Sequence, residues 1–136
     1  MPKRSKNPPR SMDFRIAVVE ETADNIYSIK FVLQSLGYEV LSFSALSRYL
    51  PGLRQFDPQL VIVDMMIPGD GGYRVIDELR SQISGEVPIL AITAAAMKGG
   101  EDDVLEAGAS DTLAKPYAIV QLQKKLKKLQ RLTAES

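Results

Sequence analysis

The chain has 136 residues, and its 17 lysines and arginines balance 17 acids. That length suits one domain with a self-sufficient core, and a net charge of zero argues against nucleic acid as the main partner. Cysteine and histidine are both absent, which excludes disulfides, thiolate metal sites, cysteine nucleophiles and histidine bases.

The first thirteen residues, "MPKRSKNPPRSMD", are basic, rich in proline and nearly free of apolar side chains, and read as a flexible tail ahead of a domain over residues 14–133. "IAVV", Ile16 to Val19, reads as a buried strand. A helix is expected from about Asp24 to Leu36, with Ile26, Ile29, Val32, Leu33 and Leu36 on one face and Gly37 as its left-handed stop. "YEVLSF", Tyr38 to Phe43, is the second strand. Pro51 and Gly52 fall inside the segment that follows, so its helix should be short, broken or irregular. "QLVIVD" is the third strand, followed by a helix from about Gly72 to Gln82 that buries Val75, Ile76 and Leu79. "PILAIT" is the fourth strand, with proline at the position where a missing N–H matters least. A marginal helix from Gly100 to Ala107, ended by Gly108, leads to a short fifth strand, "DTLA". The last helix starts near Ala118 and turns Ile119, Leu122, Leu126, Leu129 and Leu132 inward.

No stretch approaches the ~20 apolar residues of a membrane span, and the basic N-terminus lacks the apolar core of a secretory signal. A cytoplasmic protein without a membrane partner is expected. Five strand–helix repeats with unbroken apolar strands predict an α/β fold: a parallel five-stranded sheet covered on both faces, in the flavodoxin-like (βα)5 three-layer sandwich with strand order 2-1-3-4-5. No output domain is expected beyond the last helix.

Open parallel sheets bind ligands at the carboxyl ends of their strands. Here those ends carry Glu20 and Glu21, then Asp64, Thr93 and Lys115. Three carboxylates in one pocket repel one another unless a hard dication sits among them, and oxygen ligands without histidine or cysteine suit Mg2+. A metal of that kind commonly meets phosphate oxygens, which points to phosphoryl chemistry. Asp64 is the expected nucleophile, forming an acyl phosphate, with Thr93 and Lys115 binding the phosphoryl oxygens.

With "IAVVEETADN", "VIVDMMIPGDGG", "ILAITAAAMKGG" and "EAGASDTLAKPY" in that order, the chain resembles the receiver domain of two-component response regulators from about Phe14 to Leu132. The resemblance implies that Asp64 is the phosphoacceptor, Thr93 the switch hydroxyl and Lys115 the phosphate-pairing lysine. It also implies Mg2+ held by Glu21 and Asp64, by the Met66 backbone carbonyl, and by Glu20 through water. A cis peptide at Lys115-Pro116 would aim the lysine inward. The implied partners are a sensor histidine kinase or phosphotransfer protein, a downstream protein met by the fourth helix, fifth strand and fifth helix, and in one form a second copy of the chain. Turnover of a separate substrate is not expected.

The sequence departs from the family pattern at three places. Glu21 stands where the family has aspartate, and the extra methylene extends the carboxylate by about one bond length, roughly 1.5 Å. The loop then relaxes to fit, the affinity falls, or the site loses its metal. Thr112 stands where an aromatic residue often turns inward, and Gly71 replaces an aspartate, a change expected to touch only the turn. The alternative function is a pseudo-receiver, a phosphorylation-independent binding or dimerisation module.

Overall fold

Each of the five apolar runs becomes a strand, and each strand is followed by a helix. The computed structural model describes residues 14–23, 28–94 and 100–134. The N-terminal tail, Asp24, Ile26 and Met97 lie outside the described residues. The elements are β1 (Arg15–Glu20), α1 (Ile29–Ser35), β2 (Glu39–Ser44), α2 (Leu50–Phe56), β3 (Leu60–Asp64), α3 (Gly71–Gln82), β4 (Ile89–Ala94), α4 (Gly100–Ala107), β5 (Asp111–Lys115) and α5 (Ile119–Ala134). All pairs are parallel and the order is β2-β1-β3-β4-β5, the flavodoxin-like arrangement expected.

Strand side chains alternate between faces, so each strand feeds two cores. Ala17, Val19, Val61, Val63, Ile89 and Ala91 meet the apolar sides of α2, α3 and α4 through Leu53, Val75, Ile76, Leu79 and Val104. Ile16, Val18, Leu60, Ile62, Leu90, Ile92 and Leu113 meet α1 and α5 through Leu33, Leu122, Leu126 and Leu129. Each fully buried leucine contributes about 1.5–3 kcal/mol relative to exposure.

Two local expectations are corrected, and a third is narrowed. The first helix begins at Ile29, because Ser28 keeps an extended backbone (φ −64°, ψ 143°) and caps the helix by accepting the Lys30 N–H. The second helix is short but unbroken: Pro51 lies in its first turn, where an N–H has no helical partner to lose. On α5, Leu122, Leu126 and Leu129 are fully buried, whereas Ile119 and Leu132 are 54% and 51% exposed. The 16-residue helix is about 24 Å long, while the five-residue β5 covers about 17 Å, so the helix overhangs at both ends. Gly37 does end the first helical stretch in a positive-φ conformation, at 96°.

Polar clamps fix the outer elements. Asp111 at the start of β5 accepts from Lys125 Nζ at 2.9 Å and Lys128 Nζ at 3.2 Å and from the Thr112 N–H. Arg80 of α3 donates to the carbonyls of Gly108, Ser84 and Val87, tying α3 to the loops that flank β4 and β5.

Leu126→Ala should destabilise the protein by about 2–5 kcal/mol, and Leu132→Ala should stay within about 0.5 kcal/mol; urea unfolding of both variants checks the overhang. Burial alone would lift the Asp111 carboxyl, but the bonds from Lys125, Thr112 and Lys128 outweigh it and hold it below its ordinary value. A carboxyl depressed in the folded state stabilises above its unfolded pKa, and that stability is lost as pH falls through the folded value. Asp111→Asn should therefore unfold at lower urea than the native chain at pH 7, and the gap should close below the usual carboxylate range.

Candidate functional site

Three strands of the α1/α5 face run past their last apolar residue to a polar one two positions on. Val18 leads to Glu20, Ile62 to Asp64 and Leu113 to Lys115. The period of two keeps all three polar residues on that same face. They line one small cavity of about 70 Å³, together with Val18, Ser28, Ile29, Ile62, Ile92 and Tyr117.

Glu20 is 6% exposed. Its Oε2 accepts from Ser28 Oγ at 2.6 Å, while Oε1 is buried with no hydrogen-bond partner. Burial raises its carboxyl pKa, the hydrogen bond from Ser28 opposes the rise, the charge of Asp64 adds to it, and the charge of Lys115 and the nearby Ser42 hydroxyl oppose it. Asp64 is half-buried, and its Oδ1 accepts the Met66 N–H at 2.9 Å. Tyr117 brings a phenol whose pKa is raised by burial and by Asp64.

The loop after Asp64 is fixed by close packing. A Cβ at Gly72 would lie 2.8 Å from the Met65 Cα, and one at Gly71 would lie 2.2 Å from the Ile67 Cγ2. Both distances are far inside van der Waals contact, so a side chain at Gly72 would displace the Met65 backbone and one at Gly71 would force the Ile67 side chain aside. Gly71 thus concerns more than the turn's own conformation, because its missing Cβ is the space Ile67 fills.

The structure brings Glu20, Asp64 and Lys115 together and leaves the other expected residues outside the cavity lining. Glu21 lies one residue past β1 and is exposed; its carbonyl accepts from Ser44 Oγ. Thr93 is buried in β4, on the face of Ile89 and Ala91 opposite Ile92, by alternation. Thr112 is buried on that same face, paired in register with Ala91. The Met66 side chain is 41% exposed. The Lys115-Pro116 peptide is cis, as expected. Ser28 and Tyr117 were not foreseen as parts of the site. A serine directly before the apolar row Ile29, Val32, Leu33 is a helix-start signal that marks Ser28.

Among the described residues no three acids group closely enough to hold a metal ion. Two carboxylates do face one cavity, and one of them has an unpaired buried oxygen. Mg2+ is commonly held by one or two carboxylates with water completing its shell, so this donor set fits a hard dication without Glu21.

A flavodoxin-like sheet with two acids and a lysine at its carboxyl edge defines a small α/β protein whose polar groups gather where such sheets bind ligands. The chain belongs to the response regulator receiver domain family, whose model matches residues 16–127. It is 31% identical over 121 residues to the phosphate regulon transcriptional regulatory protein PhoB of Escherichia coli K12, covering 86% of this chain and 52% of PhoB. The chain thus spans about half the length of the curated relatives it matches. The receiver domain of the sensor histidine kinase PA1611 from Pseudomonas aeruginosa PAO1, solved with magnesium in its active-site cleft, aligns with a TM-score of 0.71 at 32% identity. The alignment covers 86% of this chain and 97% of that one. The activated receiver domain of Klebsiella pneumoniae RstA aligns with a TM-score of 0.73 at 27% identity, covering 86% and 98%.

A carboxyl whose pKa is raised in the folded state binds its proton more tightly there, so the stability it leaves is greatest below the unfolded pKa and falls as pH rises through the folded one. In chelator, Glu20→Gln should therefore raise Tm at pH 7, and the gain should shrink on acidification into the ordinary carboxylate range. Thermal melts across that range read the outcome.

Proposed function

We propose that the chain is a phosphoacceptor module of two-component signalling, taking a phosphoryl group on Asp64 from the phosphohistidine of a kinase or phosphotransfer protein. The observation that carries this reading is the cavity shared by Glu20, Asp64 and Lys115, with Glu20 Oε1 buried and unpaired. Oδ1 of Asp64 is held by Met66 N–H, which leaves Oδ2 as the attacking atom. Its lone pair forms the new O–P bond while the P–N bond of the donor breaks, and the imidazole nitrogen departs with that electron pair and takes up a proton.

Lys115 supplies a cation against the phosphoryl oxygens as charge shifts onto them. Glu20, Asp64 and the Met66 carbonyl are the groups to hold Mg2+, with Glu20 acting through water. When bound, the ion would neutralise charge between the acceptor and the incoming phosphoryl group. Glu21 joins the set only if the loop after β1 turns its exposed carboxylate inward. The Thr93 hydroxyl, as the switch group of this reading, would reach the phosphoryl group by a change at the end of β4. A shift between two arrangements there, favoured by the acyl phosphate, is the signal this reading sends to a protein partner. A cytoplasmic location goes with this reading.

Incubation with acetyl phosphate and Mg2+ should add one phosphoryl group by intact mass, and the adduct should be absent in Asp64→Asn. Lys115→Ala should cut the rate of adduct formation by about 10²–10³-fold, as for other single electrostatic stabilisers. An adduct that persists in Asp64→Asn overturns the acceptor assignment. No adduct in the native chain overturns the phosphorylation reading and leaves a receiver fold that acts by binding alone.

A further inference from the structure

Ser28 is buried at the mouth of α1, and its side chain has two separate jobs. Its oxygen accepts the Lys30 N–H at 3.2 Å, which caps the helix. Its single proton is given to Glu20 Oε2 at 2.6 Å, since a hydroxyl has one donor and two acceptor sites. The Glu20 backbone is fixed independently, in β1 and through its carbonyl, which accepts the Ala45 N–H at 2.7 Å.

We propose that Ser28 is a positioning residue for cation binding: by fixing Oε2 of Glu20 it turns the unpaired Oε1 into a preset acceptor for a divalent cation or its bound water. The inference rests on the reading of this cavity as a Mg2+ site. Glutamate has three rotatable side-chain bonds, and holding one oxygen removes rotamer freedom that cation binding would otherwise have to remove. Groups that orient a metal's carboxylate partners in this way commonly govern about 10–100-fold in affinity.

The two jobs are separable, because glycine is an acceptable helix cap that costs only a few tenths of a kcal/mol relative to serine but has no proton to give. Mg2+ alone is titrated into the full chain, with the amide shifts of Asp64 and Met66 as the signal and thermal melts in chelator as the folding control. Ser28→Gly should weaken Mg2+ about tenfold with Tm close to native, and Ser28→Thr, which keeps the hydroxyl, should restore native affinity. Native affinity in Ser28→Gly, or the same loss in Ser28→Thr, overturns the positioning role. If Ser28→Gly does not fold, Ser28→Ala decides: it must lose at least as much affinity, and native affinity in it overturns the role. A native chain that binds Mg2+ while Ser28→Gly binds equally well sinks this inference alone. A native chain that shows no Mg2+-dependent shift sinks the reading of the site beneath it as well.

Discussion

The period of two along a parallel strand governs this protein's site. Every β1, β3 and β5 residue that follows an α1/α5-facing apolar side chain by two must face the same way. Glu20, Asp64 and Lys115 therefore converge without any loop having to bring them together. The apolar residues below them, Val18, Ile62 and Leu113, sit in the core shared with α1 and α5. Rigid packing of that layer sets the spacing between the two acids and the lysine, which is the precision that electrostatic sites need. A one-residue slip in any strand would send its polar end to the α2–α4 face instead.

Burying a carboxylate is costly unless its oxygens are met, and the chain treats buried Glu20 and partly buried Asp111 differently. Asp111 has two ammonium groups and a backbone N–H, and its carboxyl is held low. Glu20 has a hydrogen bond from Ser28 on one oxygen and none on the other, with the Ser42 hydroxyl close enough to oppose the rise, and its carboxyl is still pushed up by burial. The same fold that satisfies Asp111 leaves Glu20 short of a partner at the mouth of a cavity. Unpaired buried polar atoms are few in native folds, and on the proposed reading the open oxygen of Glu20 is where a cation or its bound water would sit. Lys115 moderates the charge there without bonding to Glu20.

Much of this was legible in the chain. Unbroken apolar runs gave the strands, helical spacing gave α3 and α5, and together they set the sheet order, because right-handed crossovers leave few alternatives. The strand ends gave Glu20, Asp64 and Lys115 by counting alone. What escaped was whatever depends on length rather than period. Ile119 and Leu132 fit the apolar stripe of α5 but overhang a short strand, so periodicity marked them inward where geometry leaves them in solvent. Pro51 left open whether the second helix was short, broken or irregular, because its place within the helix was not known, and one turn decides whether a proline is tolerated. Ser28 was hidden because its contact spans eight residues and depends on where α1 begins.

The two adjacent glutamates show the same limit at the finest scale. From the sequence, Glu21 posed a question of reach: one methylene more than an aspartate, and so a carboxylate set about 1.5 Å too far. In the structure the issue is direction. Glu20 is the last residue of β1 and inherits the strand's inward face, whereas Glu21 is past the last strand residue and points its carboxylate to solvent. Its carbonyl is held by Ser44 Oγ and that of Glu20 by Ala45 N–H, so the backbone at this corner is tied to the end of β2 on both sides of the bond between them. A shorter side chain at position 21 would leave those ties intact and so would not by itself turn inward. On the proposed reading, the acid placed to meet a cation is consequently the one the strand aims into the cavity.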